Sequence, residues 1–482
     1  MIRRTCILLV MIFGMSCASF AQKIPSETWM GIYFDQTKIG YAKFNIEKAQ
    51  FENRSAYRLD SFTNTHMQML GIDVGQNIDA IAYLDKDFAP IYQIFRMSSA
   101  GHATTITARF KKKEILVELE GEGRKTTKRI PIPPGSKIVG DSTVASTNMK
   151  LKIGDKLDLK MFNPLTLTLD DLHTEVLRKE EIQLDGARQT AFVISSTTTI
   201  GDMICWQDEN GEVLKTTGPM GIIMIRESQE VAKSMPESKE IYAPPSDLAV
   251  VTSAPTTTTI SDPRHVKYLK VRLSGLTDRS LAISDERQKV TITGNGPFAG
   301  DYEITASEPN PSQAKPLPIT DEQTAAYLKD TAYVQTADPE ILKTSKAIIG
   351  DEKNSEKAAL KLRSWVNTYL SAKGDIGILR SSVDILHNRT GVCRDYAILY
   401  ASLARAAGIP TKLVAGLVFW QGRFYYHAWA ESFTGEWIPI DATLQIDFVD
   451  ATHIKLAEGD ATAMFSIVKT MGSVKAAISE YR

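Results

Sequence analysis

Thr390-Gly391-Val392-Cys393-Arg394-Asp395-Tyr396-Ala397, then Tyr426-His427-Ala428-Trp429-Ala430-Glu431, then Trp437-Ile438-Pro439-Ile440-Asp441 are the three blocks whose reading decides the fold. They offer one thiol, one imidazole and one carboxylate, each placed by its own local element. Those are the parts that a cysteine nucleophile uses.

From Cys393 onward Tyr396, Leu399, Tyr400, Leu403 and Ala407 recur at helical spacing, with Ala397, Ala401 and Ala404 beside them. The pattern predicts an amphipathic helix with one closely packed face. Gly408 and Pro410 end it. Cys393 therefore falls in the first turn, where unsatisfied backbone N–H groups and the partial positive charge of the helix stabilise a thiolate. The same N–H groups can hold an oxyanion, and Gly391, lacking a Cβ, lets a substrate carbonyl approach the backbone. A lone thiol is also often a small buried hydrophobe, so Cys393 by itself does not decide between the two roles.

Leu413 to Phe419 is an apolar run, Trp420-Gln421-Gly422-Arg423 a turn signal, and Phe424 to Ser432 a second extended run. Thr434-Gly435-Glu436 turns the chain again into Trp437 to Ala442, giving three consecutive antiparallel strands. A two-residue loop at Gln421-Gly422 places Gly416 opposite His427 and leaves room beside the ring. A hairpin closed symmetrically about Thr434 places His427 directly opposite Asp441, with Cβ atoms roughly 4.5–5.5 Å apart. A carboxylate there fixes the imidazole tautomer. Alternation puts Tyr425, His427, Trp429 and Glu431 on one face, so Trp429 is either a cleft wall that contacts substrate or an aromatic closing the core. Glu431 is not read as a metal partner of His427, because no second His or Cys lies at ligand spacing. His387 and His453 read as solvent-exposed or satisfied structural histidines.

These blocks resemble the bacterial transglutaminase-like superfamily, a branch of the papain-like cysteine fold. The resemblance rests on Gly391 to Ala397, Leu403-Ala404-Arg405-Ala406-Ala407-Gly408-Ile409-Pro410, Val414-Ala415-Gly416, His427 to Glu431 and Trp437 to Ala442. It implies Cys393 as nucleophile, His427 as base and Asp441 as the acid that orients it. No cofactor and no metal are expected from the residues themselves. Ala358 to Tyr369 looks like the helix that precedes the cysteine in such domains, and Ala451 to Asp460 like the tail that follows the core. Members of the superfamily include peptidases, amidases, cross-linking enzymes and inactive copies, so the resemblance does not select a substrate.

With 482 residues the chain has room for roughly three domains. A hydrophobic fraction of 43% and a charged fraction of 23% are those of a globular protein, and a formal net charge of -1 gives no reason to expect nucleic acid as a partner. Residues 1–21 read as a signal peptide: Arg3 and Arg4 precede an apolar run from Cys6 to Met15, and Ser19-Phe20-Ala21 supplies small residues for cleavage before Gln22. Export to the periplasm or outside the cell follows. A lipid-bearing Cys17 is the second reading, since Gly14-Met15-Ser16 departs from a leucine-led lipobox, and a retained anchor the third. After removal of the leader no integral membrane segment is expected. Only Cys205 and Cys393 survive that cleavage, and a disulfide between them would contradict a reactive thiol.

The expected fold class is multidomain: a mostly β N-terminal region, an antiparallel meander or sandwich over 22–243, and an α+β papain-like domain over 319–482. A Pro- and Thr-rich linker at 244–264 and a small β module at 265–310 separate the two. The N-terminal strands begin with Met30 to Phe34 and Ile39 to Ile46 around Asp35-Gln36-Thr37-Lys38, with further turns at Gly121-Glu122-Gly123 and Asn210-Gly211. His66, His102 and His173 form no metal or acid–base set there, which leaves a structural or binding role for the region. The functional expectation is an exported cysteine-dependent enzyme that cleaves amide bonds of a protein or peptide through a thioester. Cross-linking and a catalytically inactive scaffold are the alternatives.

Overall fold

The structure is a computed structural model that describes residues 24, 26–34, 36–69, 71–121, 124–140, 152–184, 186–235, 247–294, 298–308, 310–372, 377–446 and 448–482. The leader expected at 1–21, with Cys17, and Gln22 lie outside the described residues, as do Asp35, Glu122, Gly123, Pro244-Pro245-Ser246 and Pro309. The described chain divides after Asp247 into two compact units. The fold class read from the sequence holds, with a mostly β first unit and an α+β second one. No helix among the described residues is long and apolar enough to cross a membrane.

Period-two burial shows in the first unit along Ile72–Leu84, where the buried residues are Val74, Gln76, Ile78, Ala82 and Leu84. Strands from Ser26–Phe34 to Arg124–Pro131 follow one another as antiparallel neighbours. A second run, from Lys156–Asn163 to Ile223–Glu227, does the same, and Ile138–Val139 adds a parallel edge to Lys156–Asn163. Both runs are meanders. The turn at Asn210-Gly211 shows why such hairpins form: Gly211 takes a φ of 84°, and the Asp208 carboxylate accepts the N–H groups of Asn210 at 2.9 Å and Glu212 at 2.7 Å. The two meanders join in one sheet along a seam where Ser26–Phe34 pairs with Ile223–Glu227, Trp29 opposite Glu227 and Tyr33 opposite Ile223. Lys38 Nζ lies 2.7 Å from the Glu227 carboxylate, which also accepts from the Tyr33 hydroxyl.

In the second unit the helix Cys393–Ala406 packs against the strand Arg423–Phe433 and against the helices Pro339–Ile349, Ser355–Tyr369 and Ser382–Asn388. After a 3-10 turn at Ala325–Leu328, the next α-helix starts at Pro339, where Asp338 caps the N–H of Glu340. The main sheet runs Ala254–Pro255, Arg423–Phe433, Thr411–Trp420, His453–Gly459, with Trp437–Ile440 also paired to Arg423–Phe433. Ala254–Pro255 lies inside the stretch expected to be a linker, but it forms an edge strand opposite Phe424 and Arg423. An edge is where a proline, which has no N–H to donate, fits a sheet.

The three strands of the small module, Tyr268–Leu276, Gln288–Thr293 and Phe298–Thr305, form a sheet whose fourth strand is Lys475–Tyr481, from the far end of the chain. Backbone pairing across that distance places 265–310 and 319–482 in a single unit.

Candidate active site

The Cys393 helix is buried along its whole length from Cys393 to Arg405, not on one face only. Its polar residues find partners inside. Tyr396 donates to Leu370 O at 2.9 Å, Ser402 to Ile398 O at 2.9 Å, and Arg405 to the carbonyls of Thr411 and Lys329, each at 2.8 Å. Gly408, at a φ of 81°, closes the C-terminus: its N–H reaches Arg405 O at 2.9 Å, and Ile409 N–H reaches Ala404 O at 2.9 Å.

At the other end Cys393 is the first helical residue, directly after the extended Val392. Two buried arginines and a carboxylate set that turn. Asp395 accepts the Val392 N–H at 3.0 Å and the Arg380 guanidinium at 3.0 Å, while Arg380 also donates to Thr390 O at 2.7 Å and Arg394 to Ile378 O. Burial pulls the Arg394 guanidinium below its ordinary pKa, against the pull of the Asp395 charge. Gly391 has a packing reason for being glycine: a Cβ there would sit 2.7 Å from Asp395 Cβ.

His427 lies on Arg423–Phe433 opposite Gly416, as the two-residue loop at Gln421-Gly422 requires. The room expected beside the ring is filled, since a Cβ on Gly416 would meet Ile454 O at 2.0 Å and Trp429 Cη2 at 2.8 Å. The second hairpin differs from the symmetric closure about Thr434. Phe433 pairs with Trp437 and Ala430 with Ile440, so the turn centres on Gly435, at a φ of 136°, and the register moves by two residues. A shift of two preserves the face. Asp441, one residue past the end of its strand, therefore still reaches His427, and Oδ2 accepts from His427 Nε2 at 2.8 Å. Its Oδ1 accepts the Thr443 N–H at 2.7 Å, and Asn367 donates to Ala442 O at 2.9 Å. Burial alone would raise the Asp441 pKa, but the charge and hydrogen bonds of His427 and His453 outweigh it and hold the carboxyl well below the usual range. The other nitrogen, His427 Nδ1, is buried with no hydrogen-bond partner among the described residues.

His453, which the sequence left as either solvent-exposed or structural, is a buried neighbour of Asp441. It is fully buried, with Nε2 at 3.4 Å from Asp441 Oδ2 and Nδ1 at 3.3 Å from Asp450 Oδ2. Trp429 is core, 1% exposed, stacked on His427 at 6.1 Å and edge-on to His453 at 5.4 Å. His387, by contrast, makes a partly exposed pair with Glu340 at 2.6 Å.

The site is closed. Cys393 and His427 are 0% exposed and Asp441 1%, where an accessible pocket is expected of an enzyme acting on polypeptide. Asp441 lines a small cavity with Arg363, Ile440 and Phe448; Cys393 is not among its lining residues. Cys393 and Cys205 are both buried thiols, and no disulfide joins them.

Among the described residues, two groups of side chains have metal-ligand character. Ligand atoms of His427, Asp441 and His453 lie within 4.8 Å of one another, and so do those of Asp285, Glu431 and Glu458. In the first group, the 2.8 Å between His427 and Asp441 is the separation of a shared proton. A cation of the protein's own already serves the second: Lys455 Nζ lies 2.8 Å from Glu431 and 2.7 Å from Glu458, and contacts Asp285.

Residues 343–442 match the model of the transglutaminase-like superfamily, and residues 30–225 that of a protein family of unknown function, DUF3108. An uncharacterized protein of Mycobacterium leprae is 30% identical over 138 residues, 26% of this chain and 47% of that protein. The chain thus spans about half the length of that curated relative. Among solved structures, a candidate cysteine protease from Cytophaga hutchinsonii aligns over 45% of this chain and 86% of its own, with 18% identity and a TM-score of 0.32. A β-barrel-like protein of domain family DUF1849 from Brucella abortus aligns over 42% of this chain and 95% of its own, with 11% identity and a TM-score of 0.32.

Proposed function

We propose that the transglutaminase-like domain spanning 343–442 makes this protein a cysteine-dependent enzyme that cleaves amide bonds through a thioester, with Cys393 as nucleophile, His427 as base and Asp441 as its orienting acid. One observation carries the reading: His427 Nε2 is bonded to a buried carboxylate, while Nδ1 has no hydrogen-bond partner among the described residues. His427 lies on a strand packed against the helix that begins with Cys393. An imidazole held in that way has one nitrogen left for a thiol proton.

In the proposed reaction His427 Nδ1 takes the Cys393 proton, the sulfur bonds to the amide carbon and the carbonyl electrons move to oxygen. The tetrahedral species collapses with cleavage of the C–N bond. His427 returns the proton to the departing amine and leaves a thioester. Water then attacks with His427 as base, releasing the acid and restoring the thiol. The backbone N–H groups of the first helical turn are suited to the developing oxyanion. Burial of all three side chains makes local opening around Cys393 a required step before substrate binds.

Hydrolysis of a protein or peptide is the preferred outcome because water is abundant. Incubation with a glutamine peptide and a labelled primary amine tests it: cleavage or ammonia without label supports hydrolysis, and incorporated label shows cross-linking. A thiol-directed activity probe tests the assignment itself. Probe labelling should vanish in Cys393→Ala and fall sharply in His427→Ala; equal labelling of wild type and His427→Ala would leave an inactive scaffold. Export rests on the leader pattern in residues 1–21, and a mature N-terminus at Gln22 is the corresponding check.

A further inference from the structure

The buried imidazole that the proposed reaction leaves idle is His453, the first residue of the strand His453–Gly459. Its Nε2 is hydrogen-bonded to Asp441 Oδ2 at 3.4 Å, and Nδ1 lies 3.3 Å from Asp450 Oδ2 without hydrogen-bond geometry. The oxygen it shares with His427 is therefore approached by two rings, the second from outside the segment that matches the transglutaminase-like superfamily.

The surroundings of His453 are built to keep it there. Asp450 Oδ2 lies 3.1 Å from the Arg264 guanidinium, and Oδ1 accepts the Thr452 N–H at 2.9 Å. Arg287 donates to His453 O at 2.9 Å and to Asp450 O at 2.5 Å. The Gln288 side chain spans Lys455, accepting its N–H at 2.9 Å and donating to its carbonyl at 2.9 Å. Arg264, Arg287 and Gln288 all precede the matched segment, so the small-sheet region clamps the loop that carries His453. The Asp450 carboxyl is held down to about 2: burial raises it, and His453 and Arg264 more than compensate.

We propose that His453 is a positioning residue for the Cys393–His427–Asp441 set. It holds Asp441 Oδ2 against His427 Nε2, while Arg287, donating to His453 O, fixes the loop that carries it. The inference rests on the reading given under Proposed function. As His427 takes the thiol proton, positive charge develops on its ring, and a carboxylate kept at 2.8 Å meets that charge without having to reorganise. Without His453, Asp441 keeps the Thr443 N–H on its other oxygen but loses one of the two contacts that fix Oδ2. A core aromatic would fill the same space against Trp429, so packing alone does not require a histidine here. The charged and titratable groups facing the ring are His427, Asp441 and Asp450, with Arg264 and Arg287 behind the loop.

The test measures the rate of iodoacetamide labelling of Cys393 between pH 5.5 and 9.5 in the full chain, with folding checked by near-UV circular dichroism. His453→Phe keeps the shape and removes the donor, and should label about five- to tenfold more slowly near pH 6 while converging on wild type above pH 9. His453→Gln puts an amide nitrogen near the position of Nε2 and should recover most of the loss. Should His453→Phe not fold, His453→Asn, whose donor falls short of Asp441, carries the same comparison. A folded His453→Phe or His453→Asn whose profile superimposes on wild type overturns the proposal and leaves His453 a packing residue. Wild-type labelling that His427→Ala does not change overturns the parent reading instead, so the two failures are distinguishable.

Discussion

His427 and Asp441 share a 2.8 Å hydrogen bond as diagonal neighbours, not as opposite partners, because the strand ladder ends with Ala430 paired to Ile440 and Asp441 projects from the residue beyond. The contact is held by the loop after the strand, through Thr443 and Asn367, as much as by the ladder.

Asp441→Ala should lower the second-order rate of probe labelling, and turnover of any amide substrate, by about 10²–10⁴-fold, the range for removing an acid–base partner. Melting temperature measured alongside separates that loss from unfolding.

Acid should destabilise the second unit through Asp441 and Asp450, whose folded pKa values are both depressed. The sign follows from linkage. A carboxyl lowered on folding contributes stability that is complete above its unfolded value near 4 and is lost as pH falls toward the folded value. For Asp450, lowered to about 2, the loss should occur between about pH 4 and 2 and amount to on the order of 2 kcal/mol. Urea titrations across that range should show it, with a shallower limb in Asp450→Asn.

Lys455→Met should destabilise, but by less than the roughly 3–5 kcal/mol of a buried charge left wholly unpaired, since it takes the cation from Asp285 while Lys412 Nζ stays 3.1 Å from Glu431 and 2.7 Å from Glu458. Burial opposes the Lys455 charge, but the three carboxylates raise its pKa above the ordinary lysine value. A double-mutant cycle with Glu431→Gln should give a total cost smaller than the sum of the two single changes.

Gly416→Ala should cost about 1–3 kcal/mol or more, because its Cβ would meet the backbone oxygen of Ile454, which cannot move without breaking the pairing of Thr411–Trp420 with His453–Gly459. Thermal unfolding against wild type is the measurement.

The parts of the site legible in the sequence are those with local signals. Gly408 marks the end of the Cys393 helix and Gln421-Gly422 fixes the pairing of Gly416 with His427, because turn and cap chemistry act within a few residues. The second hairpin carries a three-residue loop, whose centre residue identities do not reveal; two-residue periodicity nevertheless protects the face that Asp441 shares with His427. The contact of His453 with Asp441, the Arg380 pair and the ion cluster around Lys455 were hidden because each depends on a partner brought in from another element: Asp441, Asp395, and Glu431 with Asp285. The burial of Cys393 was hidden for the same reason, being a property of packed layers and not of spacing along the chain.

The seam between Ser26–Phe34 and Ile223–Glu227 makes the earliest strand of the first unit wait for the latest. On a ribosome each meander can zip up as its hairpins emerge, but Ser26–Phe34 keeps one edge of unsatisfied backbone groups until Glu227 has been made. Newly made chains are therefore most prone to edge-to-edge association in that interval, and a chain cut before Ile223 would carry the open edge permanently.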